Sequence, residues 1–155
     1  TEYIRDMDSL DYTPLPDIWH DVFGHLPFMV HPEYADYLQE FGRRAIEFTV
    51  EQRGAGGLGS LWWYSVEFGM MSVDGEMKAF GAGLMSSYEE MQRAMNGTVE
   101  LVPYSIDVVG KVPPSPHEMH TKLFVIDSMA QLHQVLDTWC AINHAKQPFV
   151  MSERI

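Results

Sequence analysis

Basic residues and cysteine are both scarce in this chain. Ten lysines and arginines stand against twenty-two aspartates and glutamates, a formal net charge of −12. That balance disfavours nucleic acid and anionic membrane surfaces as partners, because both are bound through clustered Lys and Arg. Cys140 is the single cysteine, so no internal disulfide framework is available and a reducing, cytoplasmic compartment is expected. No apolar run reaches the roughly twenty residues that a membrane-spanning helix needs. The opening Thr1-Glu2-Tyr3-Ile4-Arg5-Asp6 has neither signal-peptide character nor an initiator methionine, and a fragment or processed chain is the expectation. What is abundant is core material: 46% hydrophobic and 12% aromatic residues in 155, enough for one globular domain with a sizeable interior.

The densest chemistry lies in Asp17-Ile18-Trp19-His20-Asp21-Val22-Phe23-Gly24-His25. On an unbroken α-helix, residues five apart sit about 140° apart around the axis, too far to share one ion easily. Gly24 offers a way out, since a left-handed glycine ending the helix would turn His25 back toward His20. A third ligand candidate is Glu67, the one charge within Leu61-Trp62-Trp63-Tyr64-Ser65-Val66-Glu67-Phe68-Gly69-Met70-Met71. A carboxylate buried in such company is paired, protonated or bound to a cation. Two histidines and a carboxylate with open positions form the ligand set of non-haem Fe(II) oxygenases, and zinc hydrolases use the same set.

Around these residues the chain reads as mainly helical with a few short strands. Pro14 and Pro16 mark an extended entry in which Arg5 offers a fork for a carboxylate, with Asp17 either holding it or capping the next helix. Pro32 starts a helix whose apolar positions Tyr34, Tyr37, Leu38, Phe41, Ala45 and Phe48 carry it to about Gln52. Residues 53–59 form a glycine-rich loop without phosphate-loop character. Ser60 is the expected N-cap of the Glu67 helix, on which Trp63, four residues back, flanks the metal side. Asp74-Gly75 is a turn before a strand from Met77 to Phe80, and Gly81-Ala82-Gly83 lets backbone approach something closely. Ser87-Tyr88-Glu89-Glu90 has capping-box spacing, Asn96-Gly97 ends that helix, and the prolines of residues 98–120 allow only short elements. Lys122 to Ile126 reads as a strand. A final helix capped by Asp127 or Ser128 buries Leu132, Leu136, Trp139 and Cys140, and a tail follows from Gln147.

Several of these segments together resemble the catalytic domain of the pterin-dependent aromatic amino acid hydroxylases, the phenylalanine hydroxylase group. The resemblance rests on Tyr3-Ile4-Arg5, Tyr12-Thr13-Pro14, Pro16-Asp17-Ile18, His20, Gly24-His25, Val66-Glu67-Phe68-Gly69, Lys78-Ala79-Phe80-Gly81-Ala82-Gly83-Leu84 and Ser86-Ser87. It implies Fe(II) held by His20, His25 and Glu67, with tetrahydropterin and O2 as the co-reactants that hydroxylate an aromatic ring. It implies that Arg5, supported by Asp17, binds the amino acid carboxylate, and that Thr13, Pro16, Trp63, Phe68, Gly83 and Ser86 shape the substrate pocket. Asp21 and Trp62 fall near the expected pterin position, and both depart from the family, which usually has Glu and often Tyr there. The expected reaction is conversion of L-phenylalanine to L-tyrosine. Tyrosine or tryptophan hydroxylation, and a truncated iron-binding module without turnover of its own, are the alternatives. Residues 1–155 therefore read as one partial catalytic domain lacking the usual N-terminal part, with an exposed apolar face able to self-associate.

Overall fold

The computed structural model describes residues 1–11, 15–54 and 56–144; Thr13 and the tail expected from Gln147 lie outside the described residues. The chain is mainly helical around one four-stranded sheet. Pro32 opens α1, Pro32–Ala45, which buries Tyr34, Tyr37 and Phe41 on the face their spacing marks. The helix ends there instead of reaching Gln52. A separate short helix, α2 (Val50–Arg53), begins behind a reciprocal cap in which the Thr49 side chain accepts the Gln52 N–H and the Gln52 side chain accepts the Thr49 N–H. Phe48 keeps its core position from the intervening turn by packing on Trp139, with ring centroids 4.9 Å apart.

Ser60 does not cap the next helix. α3 spans Leu58–Trp62, with Gly57 at its start, and the buried Ser60 hydroxyl accepts the Gly56 N–H at 2.9 Å, tying the glycine loop down. A π-helical turn, Trp63–Glu67, continues from α3. It stops at Phe68, and β1 (Gly69–Val73), which no alternation in the sequence announces, follows at once. Asp74 and Gly75, at φ 52° and 81°, make the tight turn into β2 (Glu76–Ala79). α4 (Ala82–Ser86) and α5 (Tyr88–Met95) come next, and Gly97 at φ 78° ends α5. The expected capping box at Ser87 is absent, because the Ser87 hydroxyl donates to the Asp11 carbonyl at 2.5 Å and Glu90 turns inward.

β3 (Glu100–Pro103), α6 (Ile106–Val109), β4 (Lys122–Ile126) and α7 (Met129–His144) complete the domain. Ser128, one of the two capping candidates, accepts the Gln131 N–H at 3.2 Å. The sheet order is β2-β1-β4-β3, antiparallel for β1 with β2 and parallel for the other two pairings. α1, α3 and α7 bury Tyr37, Leu58, Leu61, Leu132 and Leu136 against Phe124 and Ile126 of β4. Each such side chain contributes about 1.5–3 kcal/mol relative to exposure, which makes this the rigid platform on which Glu67 is presented. Residues 18–30 show solvent an apolar face: Trp19 stacks on Phe23 at 3.8 Å with both rings substantially exposed, and Val22, Leu26 and Val30 extend the patch. Among the described residues no helix is long and apolar enough to cross a membrane.

Candidate metal centre and pocket

His20 and His25 meet through a different device from a left-handed glycine. Residues His20–His25 form a π-helical turn, and its i→i+5 pattern sets residues five apart one above the other. Gly24 is absent from the positive-φ glycines. Its value is closeness: a Cβ there would lie 2.6 Å from Ala82 Cβ and 2.8 Å from Ala82 O, so only glycine lets this turn lie against α4. The second π-helical turn acts in the same way on Glu67. The residue brought beside the carboxylate is Trp62, five back, whose Nε1–H donates to Glu67 Oε1 at 2.9 Å; Trp63 points instead toward Phe68 and His120.

The result is a cluster of three side chains. His20 Nε2 lies 3.0 Å from His25 Nε2 and 3.5 Å from Glu67 Oε2, and His25 Nε2 lies 3.4 Å from Glu67 Oε1. Adjacent ligands on an ion with bonds of about 2.1 Å are about 3.0 Å apart, so the spacing suits one cation held by the three side chains. Among the described residues this is the one group of three or more His, Cys, Asp or Glu side chains placed to hold a metal ion.

The tautomer also fits. Ser86 Oγ donates to Gly83 O at 3.3 Å and therefore accepts from His20 Nδ1, 3.1 Å away, which leaves the Nε2 lone pair aimed at the cluster. Burial is the strongest influence on His20 and holds its imidazole below the ordinary value, against the pull of Glu67. Burial likewise pushes Glu67 up, but the hydrogen bond from His25, the two imidazoles and the Trp62 N–H together carry it below the usual carboxylate value. Both shifts favour the forms that bind cations.

Beside the cluster lies a cavity of about 260 Å³ lined by Arg5, Pro16, Trp62, Trp63, Phe68, Gly83 and Ser86 among others. Arg5 is held as expected: Nε and Nη2 donate to Asp17 Oδ2 and Oδ1 at 2.8 and 2.7 Å, and Nη1 donates to Ser86 O at 2.6 Å. The guanidinium hydrogen bonds hold the Asp17 carboxyl far below its ordinary value, overcoming the opposing effect of burial. Asp17 fills its other expected role too, accepting the His20 N–H at 2.9 Å. Gly83 faces the Phe68 ring so closely that a Cβ would lie 2.5 Å from Phe68 Cζ, and at Gly81 a Cβ would lie 2.2 Å from Glu67 O. Gly83 lines the cavity beside Phe68, and Gly81 lets the chain cross the Glu67 backbone behind it.

Asp21 stands apart from that lining and pairs with the Thr1 ammonium at 3.3 Å. Its carboxyl is lowered chiefly by a hydrogen bond with the Thr1 side chain. Ser87 and Pro116 also line the cavity. Ser87 carried a helix-start signal that masked this position, and nothing local marks Pro116.

Two imidazoles and one carboxylate converging beside an aromatic-walled cavity are the ligand set of a mononuclear non-haem metal site. The chain belongs to the biopterin-dependent aromatic amino acid hydroxylases, whose sequence model matches residues 1–153. Its relatives include a phenylalanine-4-hydroxylase of Caenorhabditis elegans, 36% identical over 146 residues, covering 91% of this chain and 30% of that protein. A tyrosine 3-monooxygenase of Schistosoma mansoni is 37% identical over 107 residues, covering 69% of this chain and 23% of that protein. A phenylalanine hydroxylase of Chromobacterium violaceum, solved with iron(III) and 7,8-dihydrobiopterin, matches with a TM-score of 0.76 at 28% identity, over 97% of this chain and 57% of that one. The chain thus spans about a third or less of these two relatives and just over half of the solved one.

Proposed function

We propose that residues 1–155 are one part of a catalytic domain that hydroxylates L-phenylalanine to L-tyrosine, with Fe(II), tetrahydropterin and O2. The observation that carries this reading is the convergence of His20, His25 and Glu67 at 3.0–3.5 Å beside a cavity that also holds the Arg5–Asp17 fork. Bound iron with a reduced pterin supplies the oxidising chemistry that ring hydroxylation needs. The chain's own residues supply position. Among the described residues Arg5 has one N–H left on each of Nη1 and Nη2 after its bonds to Ser86 and Asp17, a pair suited to a substrate carboxylate. Trp63, Phe68, Gly83, Pro16 and Ser86 line the cavity that would take the aromatic ring. The Trp62 N–H holds the Glu67 carboxylate in place by donating to Oε1. Thr13 is assigned to the substrate side and Asp21 to the pterin side on family resemblance alone.

The alternative reading is an iron-binding module without turnover of its own. The Schistosoma relative keeps tyrosine in view as substrate. One experiment separates these. The purified chain is loaded anaerobically with Fe(II), given tetrahydropterin, L-phenylalanine and O2, and assayed for L-tyrosine, with Glu67→Ala alongside. Tyrosine in excess over protein, absent in Glu67→Ala together with its iron, is the expected result. Iron bound without product supports the module, and iron retained at full stoichiometry by Glu67→Ala refutes the ligand assignment.

A further inference from the structure

α5 carries a buried carboxylate that the chemistry above does not use. Glu90 is 3% exposed and His120 6% exposed. Glu90 Oε1 accepts both the His120 backbone N–H and the His120 ring, each at 2.8 Å. On the far side of that ring, Trp63 Nε1–H donates to His120 Nε2 at 2.9 Å. An indole nitrogen only donates. His120 Nε2 is therefore the acceptor, Nδ1 carries the proton, and the line runs one way from Trp63 through His120 to Glu90.

This line ends on the cavity wall. Phe68 lies on the His120 ring with centroids 4.3 Å apart, and Trp63 lies on Phe68 at 4.8 Å. Trp63 and Phe68 line the cavity; Glu90 and His120 stand behind them, outside its lining. A buried carboxylate costs free energy to desolvate, and Glu90 Oε2 has no hydrogen-bond partner among the described residues. Apolar side chains would close this part of the core at lower cost. What they would not do is orient an indole, since packing alone leaves a ring edge free to turn while a donor aimed at a fixed acceptor selects one rotamer.

We propose that Glu90 and His120 are positioning residues that set the orientation of the Trp63 indole and, through Trp63 and Phe68, the shape of the slot that takes the aromatic side chain. The substrate half of this proposal rests on the pocket reading given under the proposed function. The orientation half stands on the hydrogen bonds alone.

The test uses the full chain and two readouts. Glu90→Met/His120→Phe removes the carboxylate together with its imidazole partner, so no buried charge is stranded, and the groups that lose a partner are the Trp63 N–H at the cavity wall and the backbone N–H of residue 120; His120→Gln keeps an amide donor and a carbonyl acceptor. In the ¹H–¹⁵N spectrum the chain shows indole signals from four tryptophans, and Trp63→Phe identifies the one lost. The Trp63 N–H is expected downfield and slow to exchange, to move to an ordinary indole position in the double variant, and to stay near its place in His120→Gln. Calorimetric L-phenylalanine affinity of the Fe(II)-loaded chain is expected to fall about tenfold in the double variant, a size typical of a misshapen apolar slot. His120→Gln is expected to recover most of it, and the double variant to add no loss in a Trp63→Phe background. An unmoved Trp63 signal, or an undiminished loss when Trp63 is already phenylalanine, overturns the proposal. If the parent chain binds no L-phenylalanine, the pocket reading fails, and the indole signal still decides whether Glu90 and His120 hold Trp63.

Discussion

Replacing Asp17 with alanine removes the acceptor of four N–H groups at once: Nε, Nη2 and the backbone N–H of Arg5, and the backbone N–H of His20. Both side chains of the pair are nearly closed to solvent, 4% exposed for Arg5 and 0% for Asp17, so little water stands ready to replace the lost acceptor. The guanidinium would keep Ser86 O as its described partner. Stranding one charge of a buried pair costs about 3–5 kcal/mol. Domains of this size are stable by about 5–15 kcal/mol, so the variant loses a large fraction of its reserve. With a urea dependence of about 2 kcal/mol per molar, the unfolding midpoint falls by about 1.5–2.5 M. Asp17→Asn, which keeps one acceptor oxygen, falls by less.

Acid provides an internal control on the same bond. The folded Asp17 carboxyl lies below its ordinary value of 3.8, so the unfolded chain takes up the proton first. The stability it contributes is complete above that value and is lost as pH falls through the folded value. The midpoint gap between the parent and Asp17→Asn should therefore hold steady near neutrality and narrow below about pH 3.8. A midpoint shift under about 0.5 M for Asp17→Ala, or a gap that widens in acid, would refute the buried-pair argument.

Three further outcomes follow from the geometry. Gly24→Ala forces a methyl into Ala82, 2.6 Å from its Cβ, and should lower iron stoichiometry after dialysis although it touches no proposed ligand, because both histidines ride on that turn. Trp62→Phe keeps the ring but drops the N–H to Glu67 Oε1; iron affinity, read by chelator competition, should weaken about 10–100-fold, and an unchanged affinity would remove Trp62 from the support of the site. Cys140 is buried and burial pushes its thiol up, so a thiol reagent at neutral pH should label it only after denaturant unfolds the chain.

The sequence by itself determined which side chains are available to the site and several of the elements that carry them. Arg5 and Asp17 were legible because a fork and a carboxylate both flank a proline-marked segment. Lys122 to Ile126, the Asp74-Gly75 turn and the close approach at Gly81 and Gly83 were legible because each is a local signal of β propensity, positive φ or missing Cβ. The arrangement of the metal cluster was decided elsewhere. An i→i+5 turn leaves no mark in a periodicity of 3.6 residues, and it occurs at His20–His25 and Trp63–Glu67 where neighbouring backbone crowds in: Ala82 against Gly24, and Glu67 against Gly81.

The same holds for Ser60, Ser87 and Glu90, all of which carry helix-start chemistry and none of which spends it on a helix start. Ser60 accepts from Gly56, Ser87 donates to Asp11, and Glu90 accepts from His120 thirty residues away. A side-chain oxygen near a helix terminus has a local partner whose availability the sequence shows. Which partner it takes depends on what the rest of the chain brings within hydrogen-bond reach, and that is a property of the packed structure. For this protein, the candidate ligands are written in the residues, while their convergence and the shape of the aromatic-walled cavity come from tertiary contact.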